Sequence, residues 1–222
     1  MLLSGSDGTC PLCSGLSVNS YHLDKKRVYK QCGDCQLVFV EACYRLAPEK
    51  EKAEYDLHQN FPDDPGYKAF LSRLLLPLLP RLRPGSKGLD FGCGPGPTLS
   101  LMLSQAGFET SIFDIYYYDD WGLLERQYDF ITATELVEHL YEPGKIIRQL
   151  WSLLPEGGIL AVMTKLLIDV QAFSTWHYKN DPTHVCFYSR DCFHYIATML
   201  GADLAIIGND VILLTKKSNT NL

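Results

Sequence analysis

Downstream of residue 66 the apolar positions switch repeatedly between a period near 3.6 and a period of 2, and each switch predicts an element. Residues 67–82 carry apolar side chains at helical spacing. Residues 88–91 form a short apolar run that predicts a buried strand. Residues 98–106 predict a helix that Gly107 stops. Strands follow at 109–113 and 128–133, then a helix at 143–154 with Pro143 in its first turn, where a missing N–H costs nothing. A turn at 155–158 leads into an apolar strand at 159–163. Ser189 is placed to cap a helix that runs through Leu200 and ends at Gly201. Residues 204–207 and 211–214 predict two adjoining strands around the turn 208–210. This alternation implies a mainly parallel sheet covered on both faces and closed by an antiparallel hairpin.

The first 65 residues follow another pattern. Between residues 9 and 43, two cysteine pairs are separated by polar, strand-like sequence, with short strands expected at 27–31 and 36–40. Residues 49–56 are a dense charge run, expected to form one solvated helix, and residues 61–66 are a turn cluster. The expected organisation is therefore a cysteine module at 1–43, a charged linker or lid helix at 44–65, and the main domain at 66–222.

Charge narrows the partners. The net charge is −6, and one Zn²⁺ held by four thiolates would take it to about −8. That is a poor footprint for gripping a polyphosphate backbone, although Lys25, Lys26, Arg27 and Lys30 form a local basic run. No apolar stretch approaches the ~20 residues of a membrane span, and residues 1–10 lack a basic segment followed by an apolar core, so no secretory signal is expected. Cysteines at metal-site spacing in a chain of this size indicate a reducing, cytoplasmic setting.

Cys10 and Cys13, then Cys32 and Cys35, are two C-x2-C pairs with eighteen residues between them. Each pair aims two thiolates at one metal, and together they complete a tetrahedral, zinc-ribbon-like shell. Four protein ligands leave no open position, so this zinc should be structural. Cys43, Cys93, Cys186 and Cys192 fall outside the pattern and are read as ordinary thiols.

Asp90, Gly92, Gly94 and Gly96 lie between a predicted strand and a predicted helix. A dinucleotide loop would place glycine three residues after Gly94, where Pro97 stands, and would not require the acid at Asp90. The segment from Asp90 to Gly96 resembles the first motif of class I S-adenosylmethionine-dependent methyltransferases. Asp114 stands where that family places the acid that holds both ribose hydroxyls. Residues 128–140 resemble its fourth strand and following helix, and residues 153–160 the turn into its fifth. The resemblance spans residues 66–216. It implies a three-layer Rossmann-like α/β sheet, with Gly92, Cys93 and Gly94 approaching the methionine part of the cofactor. It also implies that Asp90 orients the loop, and that Thr134 and Glu135 line the same cleft.

Only fourteen residues, 115–128, separate Asp114 from Asp129. A helix, a strand and their loops do not fit, so the third strand is expected to be lost or vestigial. Residues 116–121 are then placed to cover the adenine, with Asp119, Asp120 or Trp121 in contact. Methyl transfer needs a base only where the acceptor must lose a proton. The candidates are His139, His177 and His184, with Tyr178 and, from the linker, Tyr55 and His58, the last two expected on a solvated face. Residues 176–184 hold two histidines, a tryptophan and a tyrosine, a polar-aromatic wall suited to a small-molecule acceptor. No Asn/Asp-Pro-Pro-Tyr motif or Pro-Cys pair follows the fourth strand, which argues against methylation of DNA bases. Two alternatives stand beside a small-molecule methyltransferase: an RNA methyltransferase with the zinc module as reader, and a non-catalytic zinc protein with a degenerate methyltransferase fold. The oligomeric state is left open.

Overall fold

The computed structural model describes residues 8–57 and 61–218. In chain order the elements are β1 (Val18–Leu23), β2 (Val28–Cys32), β3 (Val38–Val40), α1 (Pro48–Tyr55), α2 (Pro65–Leu78), β4 (Gly88–Phe91), α3 (Thr98–Gln105) and β5 (Thr110–Phe113). They continue with β6 (Phe130–Thr134), α4 (Pro143–Ser152), β7 (Ile159–Met163), α5 (Val170–Thr175), β8 (Cys186–Phe187), α6 (Arg190–Leu200), β9 (Ala202–Ile207) and β10 (Val211–Lys216).

The main sheet has six strands in the order β5-β4-β6-β7-β10-β9. The first four are parallel, and β10 runs antiparallel to both β7 and β9. Strand alternation sends side chains to two separate cores. Phe130, Ile159, Ala161, Met163, Val211 and Leu213 pack on one face under α2 and α3. Ile131, Leu160, Val162, Ile212 and Leu214 pack on the other with α4 and α6. Helix α2 turns Leu71, Leu74, Leu75 and Leu78 inward, the stripe its helical spacing dictates, and Asp64 caps it by accepting from the Gly66 and Tyr67 amides. Ser189 caps α6 by accepting from Cys192 N at 3.1 Å, and the helix stops at Gly201. Between β5 and β6 lie only an isolated bridge, Asp114 to Tyr118, and a 3-10 turn, Trp121–Glu125. The third strand is absent among the described residues, as the short spacing required.

The second sheet, β1-β2-β3-β8, is antiparallel. Its edge strand β8 comes from the far end of the chain, and its side chains share one hydrophobic core with the main sheet. The N-terminal residues therefore fold onto residues 185–187 (Val40 N donates to Val185 O at 3.0 Å), a union across the expected boundaries that no local pattern announces. Strands β1 and β8 and helix α5 lie outside the sequence expectations for these segments. No helix among the described residues is long and apolar enough to cross a membrane.

Candidate active site

A cleft of about 580 Å³ opens at the carboxyl ends of β4, β5 and β6, the place where open α/β sheets present loops to ligands. Gly92, Cys93, Gly94, Asp114, Thr134 and Glu135 line it. Gly92 (φ 78°) and Gly94 (φ 64°) turn the loop through left-handed conformations, and a side chain at Gly94 would project into open space. Gly94 N donates to Asp114 Oδ2 at 3.0 Å, while Asp114 Oδ1 accepts from Tyr116 N at 2.9 Å. Asp90 is buried beneath the loop and accepts from Thr132 Oγ1 at 2.7 Å. Burial pushes its carboxyl up to about 6, against the Thr132 hydrogen bond and with a smaller push from the Asp114 charge. The donor set suits a nucleoside-bearing ligand: a carboxylate with lone pairs to spare beside a glycine turn, in a volume typical of small-molecule sites, roughly 300–1,000 Å³.

Glu135 adopts φ 46°, unusual for a residue with a side chain. Burial raises its carboxyl to about 7. Three residues on, Glu138 has no exposed surface, and burial with the neighbouring Glu135 charge raises it to about 8. The Tyr178 hydroxyl donates to Glu138 Oε1, lies 3.3 Å from Glu135 Oε2 and 3.3 Å from Thr164 Oγ1. Burial and the two carboxylates push the Tyr178 phenol well upward.

Of the three histidine candidates, two meet. His139, on the 3-10 turn Val137–His139, and His184 line the cleft with ring centroids 4.7 Å apart. His177 is exposed beside Lys165 (Nε2 to Nζ 3.2 Å) and does not line the cleft. The Tyr178 ring packs against His184 at a tilt of 56°, with centroids 4.2 Å apart.

The charged helix departs from expectation. Glu51 is buried, accepting from Tyr116 Oη at 2.6 Å and Tyr55 Oη at 3.4 Å. Tyr55 lines the cleft and meets His139 edge to face at 5.3 Å, so α1 is not a wholly solvated segment. His58 lies outside the described residues. Tyr116 and Tyr117 line the cleft, whereas Asp119, Asp120 and Trp121 do not. Asp120 instead caps the 3-10 turn (Gly122 N at 3.0 Å), and Trp121 rests edge-on against Phe113 at 5.2 Å.

Residues that sequence reasoning missed join the β1–β2 turn to the loop before His184. Arg27 is buried, and its guanidinium donates to His184 O at 2.9 Å, Asp181 O at 3.0 Å and Lys179 O. Lys179, also buried, pairs with Asp24 at 2.7 Å. That contact and the Arg27 and Lys26 amides hold the Asp24 carboxyl well below the usual range against its desolvation. Arg27 is thus not part of a basic surface, and Lys30 is engaged with Glu41 at 3.8 Å. In sequence Arg27 follows two lysines and opens the expected strand 27–31, which gives no sign of its burial.

The four paired cysteines converge. Cys10 Sγ lies 3.4 Å from Cys35 Sγ and Cys13 Sγ 3.5 Å from Cys32 Sγ, and all four fall within 4.8 Å of one another. Four thiolates around a zinc ion with bonds of about 2.3 Å stand about 3.8 Å apart, so the cluster fits that ion. Cys93, Cys186 and Cys192 are separately buried and Cys43 is exposed, all as free thiols.

A family profile described as a methyltransferase domain matches residues 63–204. The fold is similar to a SAM-dependent methyltransferase from Archaeoglobus fulgidus (17% identity, TM-score 0.52, 67% of this chain and 94% of that one). It is also similar to an O-methyltransferase family protein from Burkholderia thailandensis (13%, TM-score 0.50, 77% of this chain and 60% of that one). A methyltransferase of calicheamicin biosynthesis in SAH-bound form matches at 12% identity and TM-score 0.50, over 67% of this chain and 54% of that one. The chain thus spans less than two thirds of the length of the last two proteins. No curated relative matches it.

Proposed function

The chain belongs to the methyltransferase-domain family, and on that premise we propose that it transfers the methyl group of S-adenosylmethionine to a small-molecule acceptor bound at the histidine end of the cleft. The observation that carries this reading is the layout of one cavity: Gly92, Gly94 and Asp114 at one end, His139 and His184 at the other. When bound, S-adenosylmethionine supplies a methyl group on a sulfonium, an electrophile that mainly requires positioning.

Gly92, Cys93 and Gly94 present backbone at close approach, and Asp114 accepts from the ribose hydroxyls. Asp90 acts through the loop as a positioning residue, fixed by Thr132. Thr134 and Glu135 border the sulfonium, and Tyr116 and Tyr117 flank the adenine. Helix α1 acts as a lid, because Glu51 and Tyr55 close the cleft from above while its remaining charges face water. His139 and His184 handle the acceptor's proton, and His177 is left without a role in the chemistry. The four-cysteine cluster holds a structural Zn²⁺. The burial of Arg27 and Lys179 weighs against an RNA reader, since both cations are engaged within the protein.

Calorimetric titration of the intact chain with S-adenosylmethionine and S-adenosylhomocysteine tests the reading. Binding should weaken about tenfold or more in Asp114→Ala, a loss of ~1.4 kcal/mol or greater. Absence of binding to intact, zinc-loaded protein would overturn it in favour of a degenerate, non-catalytic fold.

A further inference from the structure

We propose that Glu138, His139 and His184 form a divalent-cation site in the wall of the cleft, and that this cation seats a hydroxyl oxygen of the methyl acceptor. One carboxylate oxygen and one ring nitrogen from each histidine lie within 4.8 Å of one another.

Two independent features of this cluster belong to metal sites. The first is the second hydrogen bond of each imidazole. His139 Nδ1 lies 3.3 Å from Thr183 O, and His184 Nδ1 lies 2.7 Å from Tyr178 O. A carbonyl only accepts, so each Nδ1 presents its N–H there and Nε2 is the ring atom a metal would take, with Asp181 Oδ2 3.8 Å from Nε2 of His184. Metal-ligating histidines are almost always fixed in this way. The second is Glu138. Its Oε1 takes the Tyr178 hydroxyl, but its Oε2 is buried with no hydrogen-bond partner. A buried carboxyl oxygen without a partner is costly in either protonation state, and a cation that displaces the carboxyl proton supplies that partner.

The scaffold around the cluster is rigid. Val185 N donates to the Glu138 carbonyl at 2.8 Å, and Tyr188 Oη donates to the Val137 carbonyl at 2.9 Å. These bonds lock the 3-10 turn to the strand that follows His184, while Arg27 holds the loop before it. Two imidazoles and one carboxylate suit Zn²⁺, Mn²⁺, Fe²⁺ or Co²⁺ better than Ca²⁺. Three protein ligands leave open positions, and His139 and His184 border the cleft from which an acceptor would enter.

The chemistry rests on the methyl-transfer reading. An acceptor hydroxyl held by the cation loses its proton to solvent more readily. A lone pair of that oxygen forms the new O–C bond, the C–S bond breaks, and its electron pair stays on sulfur. With the cation in place His139 and His184 act as its ligands instead of handling the acceptor's proton themselves, and the acceptor class is a hydroxylated small molecule.

The test is a Mn²⁺ titration of the zinc-loaded full chain, following free Mn²⁺ by electron paramagnetic resonance, repeated with Co²⁺ by absorption. Manganese prefers this donor set to four thiolates. The expected result is one equivalent bound, weakened about tenfold or more in His139→Ala, His184→Ala and the near-isosteric Glu138→Gln. S-adenosylmethionine affinity, measured on the same samples, reports that each variant is folded. Binding of neither ion above the level of the variants overturns the proposal. S-adenosylmethionine binding without cation binding removes this site alone, and cation binding without S-adenosylmethionine binding upholds the site while removing its methyl-transfer role.

Discussion

At one end of the cleft, Asp90, Gly92, Gly94 and Asp114 come from a single β4–loop–α3–β5 segment, joined by hydrogen bonds such as Gly94 N to Asp114. At the other end, His139 and His184 come from separate segments. They are held in place by Arg27 and by the Asp24–Lys179 pair, whose partners lie more than a hundred positions away in the chain. The first end is a local structure that needs only the sheet beneath it. The second exists only when the N-terminal sheet has closed on β8, and Cys32 of the cysteine cluster ends β2 of that same sheet. The difference implies that damage to the cysteine cluster should propagate to the histidine end and largely spare the glycine-loop end.

The largest expected effect comes from the cysteine cluster itself. Cys32→Ser should lower the melting temperature by about 10 °C or more, since loss of the proposed structural zinc would remove roughly 3 kcal/mol or more of folding energy. Unchanged melting together with unchanged metal content would remove the zinc and break the comparison at its base.

Arg27→Ala sharpens it further. The substitution leaves several loop carbonyls without their donor and should cost about 3 kcal/mol in denaturant unfolding. Arg27→Lys should restore little, because one ammonium cannot reproduce a planar fork of donors. S-adenosylmethionine affinity of the folded Arg27→Ala protein should stay within about threefold of the parent. A fall matching that of Asp114→Ala would show that the two ends are one cooperative unit.

The third effect belongs to the glycine-loop end and is spread over pH. The Asp90 carboxyl sits at about 6 in the fold and at 3.8 in the ordinary state. The folded chain therefore keeps a proton that the unfolded chain releases, and stability falls as pH rises between those values, then levels off above 6. The full loss is about 3 kcal/mol at 1.36 kcal/mol per unit. In Asp90→Asn this component of the slope should vanish, as checked by urea unfolding at pH 4.5 to 6.5. Equal slopes in the two proteins would sink the assignment.

Legibility in the sequence follows the same division. Strand 88–91, the glycine turn and Asp114 were readable because each depends on neighbours within one supersecondary unit. The missing third strand was readable from spacing alone. The lid helix was half readable: its charge run was plain, but the burial of Glu51 depends on Tyr116, which reaches it only in the closed fold. Trp121, expected over the adenine, instead packs on Phe113, because the shortened connection turns it toward the sheet edge. His177 resembled His184 in sequence context, and only the path of the loop separated them.

By itself the sequence determined the period of most main-domain elements, the cap at Ser189, the cysteine pairing pattern and the composition of the glycine loop. Those features arise from backbone sterics and local hydrogen bonding, which act over a few residues. Only the tertiary structure decided that β8 joins the N-terminal sheet, that Arg27 is a buried clamp, and that Glu138, His139 and His184 share one small volume. Those outcomes depend on which distant surfaces exclude water together, and that choice is made by the shape of the whole core.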